Sequence, residues 1–145
     1  MTNSLENPNP SAIFYEDENI YACLADYPLS KGHSLVVWKK SVTDLHLLNP
    51  KDFEHLMKIV DKVRNALMKT LKVEKVYLMY MDEIKHVHWH LIPRYNKFGF
   101  NLLKHRPRKK DSFDLAKKIR FKMKNIKSFN TRLVLLLRGR SLKIS

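Results

Sequence analysis

Cysteine occurs once in the chain, as Cys23, which rules out an intrachain disulfide. No apolar run is long enough to span a bilayer. The N-terminus, Met1-Thr2-Asn3-Ser4-Leu5-Glu6-Asn7-Pro8, has neither the basic start nor the apolar stretch of a secretion signal. These absences together predict a cytoplasmic protein with no membrane partner. Internal repeats and zinc-finger spacings are missing too. Acidic residues are scarce in one part only. Residues 94–145 hold 17 Lys and Arg against two acids, Asp111 and Asp114, whereas residues 1–93 hold 11 against 12. The net charge of +14 therefore lies after residue 93. Such a skew attracts polyanions, including nucleic acid, through a salt-sensitive field; the other reading is a solvated basic face. Aromatic residues that would stack on bases are few in this tail, and Phe113, Phe121 and Phe129 suit packing better.

A chain of 145 residues is one domain in size. Residues 1–11, with Asn7-Pro8-Asn9-Pro10, read as a flexible arm, residues 12–103 as the main domain, and residues 104–145 as a basic helix and tail. Ala12 to Tyr15 and Asn19 to Leu24 are strand-like runs around the polar turn Glu16-Asp17-Glu18 and predict a hairpin. His33 to Trp38 reads as a third strand, with Gly32 allowing a tight bend before it. Asn49-Pro50-Lys51-Asp52 is a helix start, followed by an apolar stripe at Phe53, Leu56, Met57, Val60, Val63, Leu67 and Leu71. Lys75 to Met81 predicts a fourth strand, paired antiparallel with the next one if the acidic link Asp82-Glu83-Ile84-Lys85 turns tightly. Ser112 to Lys127 is an amphipathic basic helix with Leu115, Ile119, Met123 and Ile126 on its apolar side. Leu133-Val134-Leu135-Leu136-Leu137 reads as an edge strand or an arm that packs on a partner. The expected fold is α+β, a mainly antiparallel sheet of about five strands with the long helix on one face and the basic helix at the side.

The chemistry concentrates in His86-Val87-His88-Trp89-His90-Leu91-Ile92-Pro93-Arg94. On a strand, side chains two apart share a face, so three imidazoles are expected in a row with Val87, Trp89 and Leu91 on the other side. Neighbouring imidazoles are expected roughly 6.5–7 Å apart, near enough to converge on one phosphate or metal ion and too far to bond each other. Packing gains nothing from imidazole over Val or Thr at three same-face positions. Neutral imidazole is a good nucleophile near pH 7, and attack on phosphorus splits one hard step into two easier ones.

The run His86-Val87-His88-Trp89-His90-Leu91-Ile92 resembles the His-φ-His-φ-His-φ-φ motif (φ apolar) of the histidine-triad nucleotide hydrolases and transferases. Upstream, Pro28-Leu29-Ser30-Lys31-Gly32-His33-Ser34-Leu35-Val36 is similar to that family's Pro-x-x-x-Gly-His-x-Leu-Val segment. The resemblance covers about residues 12–103. It implies a diadenosine polyphosphate hydrolase-like enzyme that cleaves at the α-phosphate of a dinucleoside polyphosphate or nucleoside phosphoramidate. His88 is then the nucleophile that carries a nucleotidyl-histidine intermediate. His90 and His33 contact phosphate oxygens, and His86 supports the array. It further implies a homodimer and no required cofactor, with magnesium arriving on the substrate phosphates.

Several positions depart from the family pattern. Asp82 and Glu83 stand where a Gln and a Ser or Thr are common, so Glu83 is either a general acid with a raised pKa or, with Asp82, part of a turn outside the pocket. Ala25 stands at the usual ribose-binding carboxylate, with Asp26 one residue later. Trp38-Lys39-Lys40-Ser41 replaces Pro-Lys-x-His, and Trp38 is read as a strand aromatic or a group stacked near the pocket. Arg94 follows Pro93, as in many family members, and is a candidate for a distal phosphate or for a salt bridge at a strand end. Two other functions fit parts of the chain. One is a zinc-dependent hydrolase with His86, His88 and His90 or His33 as ligands, aided by Asp82 and Glu83. The other is a nucleic-acid-associated protein that removes adenylate from ends, or only binds, through its basic tail.

Overall fold

Asn49, Pro50 and Asp52 start the long helix as their chemistry dictates. In the computed structural model the Asn49 side chain accepts the Asp52 N–H at 2.8 Å, and Pro50 opens α1 (Pro50–Leu71), which ends at Lys72 in a left-handed conformation. The structure describes residues 5–82, 84–96, 108–109 and 112–125; Glu83, Ile126 and the apolar run 133–137 lie outside them. The buried stripe of α1 is Leu56, Ile59, Val60, Val63, Ala66 and Leu67. Phe53, expected on that stripe, sits in the first turn and is 42% exposed, while Ile59 and Ala66 join it.

Five strands form one antiparallel sheet: β1 (Ile13–Glu16), β2 (Ile20–Leu24), β3 (Ser34–Trp38), β4 (Lys75–Tyr80) and β5 (His88–Arg94), in the order β1-β2-β3-β5-β4. A second helix, over residues 115–125, buries Ala116, Ile119 and Met123. The α+β expectation holds. The β1–β2 turn is organised by Asp17, whose carboxylate accepts the N–H groups of Asn19 and Ile20, the Tyr15 hydroxyl at 2.7 Å and His55 Nε2 of α1 at 2.8 Å.

The cross-strand register sorts the two faces. His88 pairs with Val37, and His90 pairs with Leu35 and Met79, so these residues share one face; Trp89, Leu91 and Pro93 share the other with Val36 and Val76. α1 lies on the Leu91 side, since Leu71 and Pro93 both crowd Gly32. A Cβ on Gly32 would meet Leu71 Cδ1 at 2.5 Å, and φ there is +87°, so only glycine fits this bend.

Two sequence expectations need correction. Residues 5–11 are not a loose arm: Leu5 is buried in the core cluster, its carbonyl accepts the Tyr21 hydroxyl, and Asn9 caps a short 3-10 turn at Pro10–Ala12. The buried Leu5 side chain and its carbonyl's hydrogen bond help dock a segment whose composition reads as polar. His86, moreover, is not on the strand. β5 begins at His88, and the residues ahead of it bond elsewhere, with Val87 N–H donating to Val42 O at 2.9 Å.

Candidate active site

β3 and β5 run side by side, and this pairing brings two sequence motifs together. His90 projects from the middle of β5, and His33 stands one residue before β3 on the same face. The loop that delivers His33 is tied down by Ser30, whose hydroxyl donates to Pro93 O at 2.6 Å, and by His33 N–H on Ser30 O at 3.0 Å. His33, His86 and His88 are buried, and His90 is partly buried.

The imidazoles bond each other directly, against the expectation from strand spacing. His33 Nε2 lies 2.9 Å from His90 Nδ1, and His90 Nε2 lies 3.2 Å from His88 Nε2. The rings tilt toward one another, with centroids 5.2 and 4.9 Å apart, which closes the gap that the backbone rise alone would leave.

Both ends of this chain of rings are fixed by backbone groups that have one role only. The Leu29 N–H donates to His33 Nδ1 at 3.0 Å, so the neutral His33 ring carries its proton on Nε2. At the other end, His88 Nδ1 lies 2.7 Å from His86 O, a carbonyl that only accepts, so His88 carries its proton on Nδ1. The middle then follows: His33 Nε2–H donates to His90 Nδ1, and His90 Nε2–H donates to the lone pair of His88 Nε2. One proton per ring satisfies every contact. His86 stands behind the row, its Nε2 2.6 Å from Trp38 O, and its backbone carbonyl orients His88.

Burial, and secondarily the neighbouring His90, push His33 down to about 3; burial and then His88 push His90 down to about 4. Both rings are neutral near pH 7, as the hydrogen-bond directions require. Beside them, a cavity of about 210 Å³ is walled by Tyr21, Cys23, Leu35, Asp26, His33 and His90, with Leu5, Pro8 and Asn9 completing it. Cys23 is no rival nucleophile: burial and then Asp26 push its thiol up to about 12. A cavity of about 530 Å³ shares His33 and adds Lys31 and Lys118. Another, of about 570 Å³ between β1 and residues 115–125, carries Lys62, Arg120 and Lys124 but no histidine, so imidazole chemistry rather than size locates the site.

The structure thus unites His33, His88 and His90, with His86 at their back. Asp26 is exposed on the rim of the smaller cavity. Arg94 is not with them: it lies four residues beyond His90, about 13 Å along the strand, and lines a separate depression with Lys72 and Glu74. Asp82 belongs to the turn, where its carbonyl accepts the Lys85 N–H at 2.8 Å; Glu83 lies outside the described residues. Trp38 is a core residue, 2% exposed. Two contributors carried no sequence signal: the Leu29 N–H is a backbone group, and Tyr21 reads as an ordinary strand aromatic.

A five-stranded antiparallel sheet that presents a buried row of hydrogen-bonded histidines defines a class, and comparison with known proteins gives its name. The HIT domain model matches residues 6–97, and the chain belongs to that family. It is 32% identical over 99 residues to an uncharacterized HIT-like protein of Borreliella burgdorferi (63% of this chain, 71% of the relative). It is 33% identical over 96 residues to another from Methanocaldococcus jannaschii (62% and 74%). Among solved structures, a hypothetical histidine triad nucleotide-binding protein of Sulfolobus tokodaii superposes with a TM-score of 0.65 at 27% identity, over 80% of this chain and 85% of that one. A zinc-bound histidine triad family protein of Mycobacterium smegmatis gives 0.68 at 22% identity, over 86% and 91%, a likeness of fold alone. Membership carries, in general terms, a nucleotide-binding and hydrolase-type function.

Proposed function

We propose that the protein hydrolyses nucleotides at the α-phosphate, on dinucleoside polyphosphates or nucleoside phosphoramidates, through a nucleotidyl intermediate on His88. One observation carries this reading: the hydrogen-bond direction fixed at Leu29 and at His86 leaves His88 Nε2 unprotonated. In the first step Nε2 donates its lone pair to phosphorus, the bond from phosphorus to the leaving oxygen or nitrogen breaks, and that atom takes the electron pair, a leaving nitrogen also taking a proton from solvent so that it departs as the neutral amine. The ring becomes an N-phosphorylated imidazolium whose Nδ1–H is already held by the His86 carbonyl. The approaching phosphate displaces the His90 Nε2–H from His88, and that donor, with His33 behind it, turns to a non-bridging oxygen where charge builds. Water then attacks phosphorus, the N–P bond breaks, and neutral His88 returns. The nucleoside is assigned to the side of the site lined by Tyr21, Cys23 and Leu35, with Asp26 on its rim for the ribose. This route needs no protein-bound metal, and magnesium enters with the substrate.

We further infer a homodimer joined at β4, an edge strand of the sheet among the described residues, where Leu78 and, just beyond the strand, Met81 and Ile84 are 43%, 39% and 51% exposed.

The test is single-turnover hydrolysis of diadenosine tetraphosphate and adenosine 5′-phosphoramidate, with and without EDTA, by wild type and His88→Asn. The expected result is activity that survives EDTA and falls at least ~10³-fold in the variant. Activity lost in EDTA and restored by zinc, but not by magnesium, would replace this reading with a metal-dependent one.

A further inference from the structure

The cavity beside His33 and His90 has a wall that the sheet does not supply. Leu5, Pro8 and Asn9 close it from the N-terminal segment. At about 210 Å³ it is smaller than the roughly 300–1,000 Å³ of pockets that hold drug-sized ligands.

Among residues 5–11 only Leu5 is buried; Glu6, Asn7, Asn9, Pro10 and Ser11 are exposed. Leu5 is a single apolar peg, 6% exposed, and its carbonyl accepts the hydroxyl of Tyr21, a β2 residue 5% exposed that lines the same cavity. Beyond the peg the chain has a firm pivot. The Asn9 side chain accepts Ser11 N–H at 3.0 Å, and its carbonyl accepts Ala12 N–H at 2.9 Å, while Ala12 is buried. Residues 10–12 are thereby held in one turn that the buried Ala12 anchors to the core.

Resting on the reading of the histidines as a nucleotide site, we propose that residues 5–9 are a strap closing the nucleoside half of that site, latched by the Tyr21 hydroxyl on the Leu5 carbonyl. A nucleotide enters only when the strap lifts. Closure lowers apparent affinity by the fraction of molecules that are open, so weakening the latch tightens binding.

The test uses the full chain, with AMP as the probe. In calorimetry, Tyr21→Phe, which removes the latch and keeps the ring, and Leu5→Ala, which trims the peg, are each expected to lower the Kd for AMP about 2- to 10-fold. Hydrogen exchange at the amides of residues 5–7 in wild type is expected to rise on saturation with AMP, while that of Ala12 holds. Unchanged or weaker binding in both variants, or slower exchange in the strap when AMP is bound, would overturn the proposal and leave the His88 mechanism standing. If neither wild type nor variants bind AMP, the nucleotide reading itself falls and the strap with it. Binding by the variants but not by wild type would support the strap in its strongest form.

Discussion

His33 and His90 are the residues on which the protonation of the site turns. Each is held neutral by burial, at about 3 and about 4, where an unfolded histidine titrates near the ordinary value of 6.5. As pH falls from about 6.5 toward 4, the unfolded chain binds protons that the folded chain refuses, so folding stability declines through that window. The contribution is complete above the unfolded value and is lost as pH drops through the folded ones. Thermal unfolding followed from pH 7.5 to 4.5 should show Tm falling in wild type and falling less in a His33→Gln/His90→Gln variant; equal slopes would contradict the assignment. The cluster of His88 and His90 was legible in the alternating histidines, and so was the fourth histidine after Gly32 that joins it. Their mutual bonding was not, because strand spacing fixes where Cα atoms sit and says nothing of how far rings tilt. The second role of His86 was equally hidden: its backbone carbonyl, not its ring, orients His88.

At the level of elements, the β1–β2 hairpin is pinned to α1 through one carboxylate. Burial raises the Asp17 pKa, but hydrogen bonds from Tyr15, Asn19, His55 and Ile20 outweigh it and hold the group below its usual value. Asp17→Ala leaves those donors without a partner and should cost about 2–3 kcal/mol, measured by urea unfolding; a loss below about 0.5 kcal/mol would show the network to be ornamental. Glu16-Asp17-Glu18 announced a turn, but nothing in the sequence linked it to His55, 38 residues away. The helix α1 was readable from Asn49, Pro50 and the apolar period. Its face was readable only in part, since Phe53 obeys the helical spacing and still meets solvent. The N-terminal segment was the main misreading: Asn and Pro dominate its composition, and the single Leu5 that helps dock it leaves no periodic trace.

For the whole molecule, charge and surface point to different partners. About half of the basic excess after residue 93 belongs to segments outside the described residues, and Lys31 and Lys118 line the cavity that shares His33. Their field should draw in polyphosphates with a salt-sensitive rate. The proposed dimer makes a separate prediction. Leu78→Lys places a charge on the β4 edge and should shift the protein from dimer to monomer in sedimentation at micromolar concentration; a wild-type monomer, or an unshifted variant, would remove the β4 interface. Among the described residues no helix is long and apolar enough to cross a membrane.

The account stands on His88 Nε2 forming a bond to phosphorus, and rapid-quench mass spectrometry reads that bond directly. Wild type mixed with diadenosine tetraphosphate in EDTA and quenched in base within one turnover should carry an adenylate on the peptide that contains His88, lost on acid treatment and absent from His88→Asn. Turnover with no adduct at any time point, or an adduct on His90 or His33 instead, would contradict it.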